Sequence, residues 1–465
     1  YNYFGDITST KVYNKSTGVL VLSQTNSYSG GLLSSVSFGG NTFSNTYDVS
    51  GTVTDIKHNG TTMLHYDYLE PTVNDDFRAL QGKTYANGQL EEYDYNLNTV
   101  QVSHKNSAGD TSPYAVYTYT KDNKGQISNA AYMKNNVSEM EYEYGGLTDD
   151  EYDSITMSGN LNYNMEFSQV INTDRDRTTS TTLKFTKNDA VILDLTNTFT
   201  YNYKNQISGN SFGNYRSMMS YDAMDRISNY TVRHNNSIVN NKSYSYKVTN
   251  GNNTRLLTSI TDNQYAENAT STYYDDGNIQ TIGYNGRTYT YTYDAAGRLL
   301  TETGQNGTTT YTYNGYNTIL SKNAGGTITG YSYDSAGRIT GYTENGQSKL
   351  FAYDAMGNPV KYKVSALTEA DNFTWTQGRK LASGTLNGNT FAYEYDPNGI
   401  RYKKTVNGLT TEYYLNGNQI LAENRIGNGG MIYYIYDPTG IAGMIYNNAY
   451  YYFDKNTLGD IIRIR

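Results

Sequence analysis

The chain has 465 residues, with 52 tyrosines, 44 glycines, one tryptophan, no cysteine, a formal net charge of −8 and a mean hydropathy of −0.70. Without cysteine there are no disulfides, thiolate nucleophiles or cysteine zinc sites, and an acidic chain with no basic stripe is not a general nucleic-acid binder. No apolar run approaches the ~20 residues of a membrane-spanning helix.

In chain order, the first clear unit is Tyr47-Asp48-Val49-Ser50-Gly51, followed by a strand and turn at Ile56-Lys57-His58-Asn59-Gly60. Looser units follow at Tyr85-Ala86-Asn87-Gly88 and at Tyr117-Thr118-Tyr119 before a turn at Asn123-Lys124-Gly125. The pattern is weakest over 145–200, where 174–177 reads as a degenerate turn between strands at 161–167 and 181–185, and 149–154 as one helical turn. It resumes at Tyr203 to Ile207 and at Tyr221-Asp222-Ala223-Met224-Asp225-Arg226, then at Tyr274-Asp275-Asp276-Gly277. The most regular copies are Tyr293-Asp294-Ala295-Ala296-Gly297-Arg298, Tyr333-Asp334-Ser335-Ala336-Gly337-Arg338 and Tyr353-Asp354-Ala355-Met356-Gly357. Residues 365–370 read as a second helical turn. Tyr395-Asp396-Pro397-Asn398-Gly399 and Tyr436-Asp437-Pro438-Thr439-Gly440 continue the series, with weaker copies at Tyr313, Trp375 and Tyr414 between the strong ones.

A period of about 20 residues marks a repeat architecture. Aromatics two apart, such as Tyr289, Tyr291 and Tyr293, share one face of a strand, and the residues between them are mostly Thr or Ser. Asp after the Tyr can cap backbone N–H groups, and Gly three residues later can take positive φ, which suits a type I turn closed by a glycine bulge. Each unit is therefore a β-hairpin. About 23 side by side make a sheet long enough that its twist must curl or close it. The expected fold is all-β: about 20-residue hairpins wound into a spiral, shell-like or barrel-like sheet. The pattern divides into divergent repeats over 1–200, regular repeats over 201–449 and a last segment at 450–465. Both ends read as cuts, since the chain starts at Tyr1 and finishes as if within a strand.

Nothing in the sequence reads as a catalytic, cofactor or metal site. The histidines His58, His65, His104 and His234 have no metal spacing and read as surface or strand-face residues. The carboxylate pairs Asp75-Asp76, Asp149-Asp150 and Asp275-Asp276 read as loop residues. Lys403-Lys404, Arg463 and Arg465 read as solvated strand faces, and Trp375 as a packing residue at a Tyr position. The repeat itself nominates a structural set: Tyr47, Asp48, Gly51, Tyr221, Asp222, Tyr274, Asp275, Tyr293, Asp294, Gly297, Arg298, Tyr333, Asp334, Gly337, Arg338, Tyr353, Asp354, Gly357, Tyr395, Asp396, Gly399, Tyr436, Asp437 and Gly440.

The signature Tyr-Asp-x-x-Gly-Arg-Leu/Ile at this step resembles the Rhs/YD-repeat family, which includes bacterial polymorphic toxins, Tc toxin C components and the YD shell of teneurins. The resemblance runs from about Tyr47 to the end, and 450–462 looks like the start of the family's Rhs-associated core. It implies a hollow shell around a C-terminal toxin or other cargo, in a protein that is secreted or on a bacterial surface. Family members cleave themselves at Asp-Pro-x-Gly-Leu downstream of the core; Asp437-Pro438-Thr439-Gly440-Ile441 is spelled similarly but lies in register with the repeat, upstream, and reads as a hairpin turn. The expected function is a non-catalytic shell segment enclosing a cargo domain. The alternative is an adhesion or carbohydrate-binding array with a cell-surface protein or glycan as partner.

Overall fold

The computed structural model describes residues 1–13, 18, 20–69, 79–146, 152–172, 175–249, 251–265, 267–314, 318–365, 371–427 and 429–465. Among them are forty-one strands and no helix. Consecutive strands pair antiparallel in two ladders, one of 31 strands from Ser9–Tyr13 to Pro359–Val364 and one of ten from Asn372–Thr376 to Ile461–Ile464. The ladder is unbroken across Tyr201 and Ile207, and again across Tyr446 and Ala449. The two expected helical turns fall largely on 147–151 and 366–370, outside the described residues, as does Asp75-Asp76.

Two kinds of turn alternate along the regular part. In the first, Asp294 N donates to Arg298 O at 2.9 Å and Gly297 N to Asp294 O at 2.9 Å, while Asp294 Oδ1 accepts from the N–H groups of Ala296 and Arg298. Gly297 has φ 76°, which explains the glycine. Pairing then shifts register so that Tyr293 faces Leu299, a bulge repeated at Tyr333 and Ile339. The second turn is two residues, as at Asn285 and Gly286 with φ 47° and 74°, the double positive φ of a type I′ hairpin.

The sheet winds. Gln89 bonds to Gly378, Asn162 to Glu412 and Glu267 to Arg463, so the later run follows the earlier one in the same direction. A sheet folded back on itself would pair the runs in opposite directions, whereas successive turns of a spiral keep one sense. From Gln89 to Glu267 the earlier run spends 267 − 89 = 178 residues on an arc the later run covers in 463 − 378 = 85. Strand length accounts for part of this: Arg177–Lys187, Ala190–Tyr201 and Ser237–Thr249 have 11, 12 and 13 residues, against at most 8 in the later run.

The main core lies between the runs, where Met140, Tyr142, Met157, Met165 and Phe185 meet Tyr402, Tyr414, Leu415 and Ala422. A smaller core sets Phe212, Tyr215, Met219, Tyr230 and Val232 against Ile435, Tyr450 and Tyr452 of the later run. Strand Arg287–Tyr293 has no buried residue on either face, so water reaches both sides of the wall there.

Several sequence expectations need correcting. His104 is buried, because its strand lies under the second winding and its ring packs edge-on to Tyr117 at 5.2 Å. Lys403, Arg463 and Arg465 do more than face solvent; they bridge the windings, Lys403 to Glu139 and both arginines to Glu267. At Tyr274-Asp275 the register is one residue off: Tyr273 faces Ile279 across the bulge, and Tyr274 occupies the turn position where other units have Asp. Near Tyr203 the register is two residues off, with Tyr201 the strand residue and Asn202 the capping one.

Candidate functional site: the repeat relay and the seam between windings

The repeat Tyr has a specific hydrogen bond. Its hydroxyl donates to the main-chain carbonyl at the start of the preceding hairpin's second strand: Tyr47 to Leu33, Tyr221 to Ile207, Tyr313 to Leu299, Tyr333 to Ile319, Tyr353 to Ile339 and Tyr395 to Leu381, at 2.5–2.8 Å. That carbonyl lies at the bulge, where the ladder is disrupted and a side chain can serve it. Trp375 takes the same role with its indole N–H, 2.8 Å from Pro359 O. At the displaced unit Tyr273 bonds to Leu257 O, and Tyr274 donates to Tyr291 O and packs edge-on against Tyr293.

The Arg of the motif links the same pair of units. Arg298 Nε donates to Asp294 Oδ2 at 2.6 Å and Nη1 to Asn314 O, while its guanidinium lies 4.6 Å from the centre of the Tyr313 ring. Arg338 repeats this on Asp334 and Tyr353, and Arg226 on Asp222 and Tyr246. Burial works against ionisation of Asp294, but the Arg298 N–H groups hold it below the ordinary carboxylate range. The sequence carried the signal, an Arg four residues after Asp. What it lacked was the neighbour, because Tyr313 is in the next unit. Arg298→Ala is expected to cost about 1–2 kcal/mol by denaturant unfolding, and Arg298→Lys to recover little of it, since an ammonium cannot both pair with Asp294 and stack on Tyr313 as a planar guanidinium does.

Along the seam, buried polar groups join the windings. Gln89 donates to Trp375 O and accepts from Gly378 N, both at 2.7 Å, and Tyr114 bonds to Thr376. Beside them Glu91 accepts from Tyr85, Tyr93 and Lys83 at 2.6–2.9 Å. Burial would raise Glu91, but the Tyr85 and Lys83 bonds hold it below its ordinary value. Burial pushes His104 down to about 4 despite Glu91 3.7 Å away, so the imidazole is neutral at pH 7. Farther along, Glu412 accepts from Asn162, Tyr414 and Asn424, each at 3.1 Å. The seam closes on Lys242, Asp454, Arg465, Glu267 and Arg463.

Asp396 is the repeat Asp most altered by this packing. It is 1% exposed, accepts from Ile400 N at 2.7 Å and from the Tyr142 hydroxyl at 3.0 Å, and burial raises its carboxyl above the ordinary range. A raised acid binds its proton in the folded state first, so it adds stability as pH falls toward the unfolded value and removes it as pH rises through the folded one. Asp396→Asn is therefore expected to raise the melting temperature at pH 8 relative to the parent, with the difference shrinking as pH is lowered to about 5.

Among the described residues no group of three His, Cys, Asp or Glu side chains is placed to hold a metal ion. The nominated residues do not converge on one point; they recur along the wall, one set per unit.

A family model described as RHS Repeat matches residues 273–309. No curated protein sequence matches the chain. Among solved structures it is similar to a Photorhabdus luminescens Tc holotoxin pore, with TM-score 0.56, 10% identity, 96% of this chain covered and 26% of that one. It is also similar to TcdB2-TccC3 without the hypervariable C-terminal region, with TM-score 0.56, 11% identity and the same coverage. A crystal structure of TcdB2-TccC3 gives TM-score 0.52 at 12% identity, covering 96% of this chain and 27% of that one. The chain spans about a quarter of those chains, and the likeness is one of fold. The repeat match falls on units that alternate the two turns described above, within a wound all-β sheet of the same fold as the Tc structures, so that over 273–309 the chain is similar to the RHS repeat and over nearly its whole length shares the Tc fold.

Proposed function

We propose that this chain is a wall segment of a secreted or surface-borne shell that encloses a C-terminal cargo domain, and that it acts by exclusion rather than by catalysis. The observation that carries the reading is the winding: the later run tracks the earlier one in one sense, while a strand such as Arg287–Tyr293 is wetted on both faces. Such a wall has an inside. In this reading Tyr, Asp, Gly and Arg of each unit are building parts, and 450–465, tied to Lys242 and Glu267, begins the segment that closes one end. The Tc similarities support a shell-like fold; the cargo is our inference from the resemblance.

The test is protease protection in the complete reading frame. Polypeptide beyond residue 465 is expected to resist digestion until the repeat wall is unfolded; digestion at the rate of the same polypeptide alone would refute encapsulation.

The binding-array reading draws on an aromatic ladder, Tyr331, Tyr342, Phe351, Tyr362, Phe373 and Phe391, with ring centres 5.2–6.2 Å apart. Its rings meet at 33–86°, packing against one another rather than lying flat as a sugar platform.

A further inference from the structure

The two windings do not take paths of equal length. Between the tie of Asn162 to Glu412 and that of Glu267 to Arg463, the earlier run takes 267 − 162 = 105 residues and the later one 463 − 412 = 51. A longer run cannot lie flat on a shorter one over the whole arc, so the layers must part somewhere between the ties. They are packed together at two places. In one, Met165, Leu183 and Phe185 meet Tyr414, Leu421 and Tyr433; in the other, Phe212, Tyr215 and Tyr230 meet Tyr450 and Tyr452. Leu195 and Ile435 pack against both cores and so mark the ground between them.

There the layers leave a cavity of about 330 Å³. Phe167, Leu195 and Phe199 line it from the earlier run, and Leu421, Ile435 and Tyr436 from the later one. Close-packed interiors rarely leave a void larger than a water molecule. Here Phe167, Leu195, Phe199 and Ile435 are only half-buried, although they line the space between two layers. Strands Arg177–Lys187 and Ala190–Tyr201, from the stretch where the repeat pattern is weakest, supply Leu183, Leu195 and Phe199 to the lining. A more polar space of about 570 Å³ adjoins the cavity and shares Phe167, Thr181, Phe199, Ile207 and Gln419 with it. Among the described residues no Lys, Arg or His lines either space. Asp437 borders the cavity, but its carboxylate is engaged elsewhere: Oδ1 accepts from Thr439 N and Oγ1, and Oδ2 is buried beside Tyr230 and Lys455.

Size and lining fall in the roughly 300–1,000 Å³, mostly apolar class of small-molecule sites. We propose that this cavity binds a neutral, largely apolar small molecule, an uncharged aromatic or alkyl body seated among Phe167, Leu195, Phe199, Leu421 and Ile435. Such a ligand covers apolar surface that water now reaches on both windings, and that burial drives binding. A charged ligand of the same shape would give up its hydration with no opposite charge to receive it. The site is a property of the wall and does not depend on what the shell holds.

Fluorescence titration with a matched pair of dyes tests this: N-phenyl-1-naphthylamine, which is neutral at neutral pH, and 8-anilino-1-naphthalenesulfonate, the same body carrying a sulfonate. The neutral dye is expected to bind saturably, at least about tenfold tighter than the sulfonate, given the cost of burying an unpaired charge. Leu195→Trp, which fills the cavity, is expected to abolish binding of the neutral dye. No saturable binding of the neutral dye, equal binding of the sulfonate, or an unchanged affinity in Leu195→Trp, which would put the dye on the outer surface, would overturn the proposal. If Leu195→Trp does not fold, Leu421→Trp fills the cavity from the facing winding, and the comparison of the two dyes on the parent still decides it.

Discussion

Tyr414→Ala is expected to cost about 3–5 kcal/mol and to loosen the second winding from the first. Tyr414 is 0% exposed, its ring meets Phe185 edge-on at 4.9 Å, and its hydroxyl donates to the buried Glu412. Removing the ring opens a cavity at the centre of the core and takes one of three hydrogen-bond partners from a carboxylate that water cannot reach. Tyr414→Phe keeps the ring and is expected to cost only about 1–2 kcal/mol, the share of the lost hydrogen bond to a charged acceptor. Urea unfolding separates the two variants, and limited proteolysis reports whether 372–465 is released first. Equal stability of Tyr414→Ala and the parent would mean that the inter-winding core contributes little.

Asp454→Ala is expected to have an effect of similar size at the other end of the seam. Lys242 and Asp454 are 6% and 5% exposed and 2.8 Å apart, and Arg465 bonds the second carboxylate oxygen. Breaking a buried pair from one side strands the remaining charge, typically at about 3–5 kcal/mol. Burial alone would raise Asp454, but Lys242 and then Arg465 hold its carboxyl below the ordinary 3.8. For a depressed acid the stabilisation is present above the unfolded value and is lost as pH falls through the folded one. The clamp therefore holds through mildly acidic conditions and weakens only below about pH 4, whereas Asp396 acts in the opposite sense at higher pH. Thermal melts of the parent and Asp454→Ala from neutral pH to about pH 3 are expected to converge at the acid end; a constant gap would place the effect elsewhere.

Most of the fold was legible because each unit is local. Tyr alternation, the Asp cap and the positive-φ Gly act within some ten residues, so Asp294 to Gly297 states its own turn. Register was harder. Tyr273 and Tyr274 are adjacent in sequence, and only the pairing of Tyr273 with Ile279 tells which is the strand residue and which the turn residue. The contacts between units were out of reach, since Arg298 finds Tyr313 fifteen residues on and Gln89 finds Gly378 nearly three hundred on. That separation is why His104 and Lys403 read as surface residues. Their own strands alternate like exposed ones, and the second winding covers them.

Winding is what turns a ribbon of hairpins into a wall with an inside, and double electron–electron resonance measures it directly. The chain has no cysteine, so Asn160→Cys with Leu409→Cys carries the only two spin labels. Asn162 touches Glu412 in the wound sheet, which places labels on these neighbouring residues within roughly 40 Å. In an unwound ribbon the same sites would be some twenty strands apart, about 100 Å at the ~4.8 Å strand spacing. A dominant distance below about 40 Å is the expected result. Its absence from folded protein, with spins beyond measurable range, would contradict the wound shell.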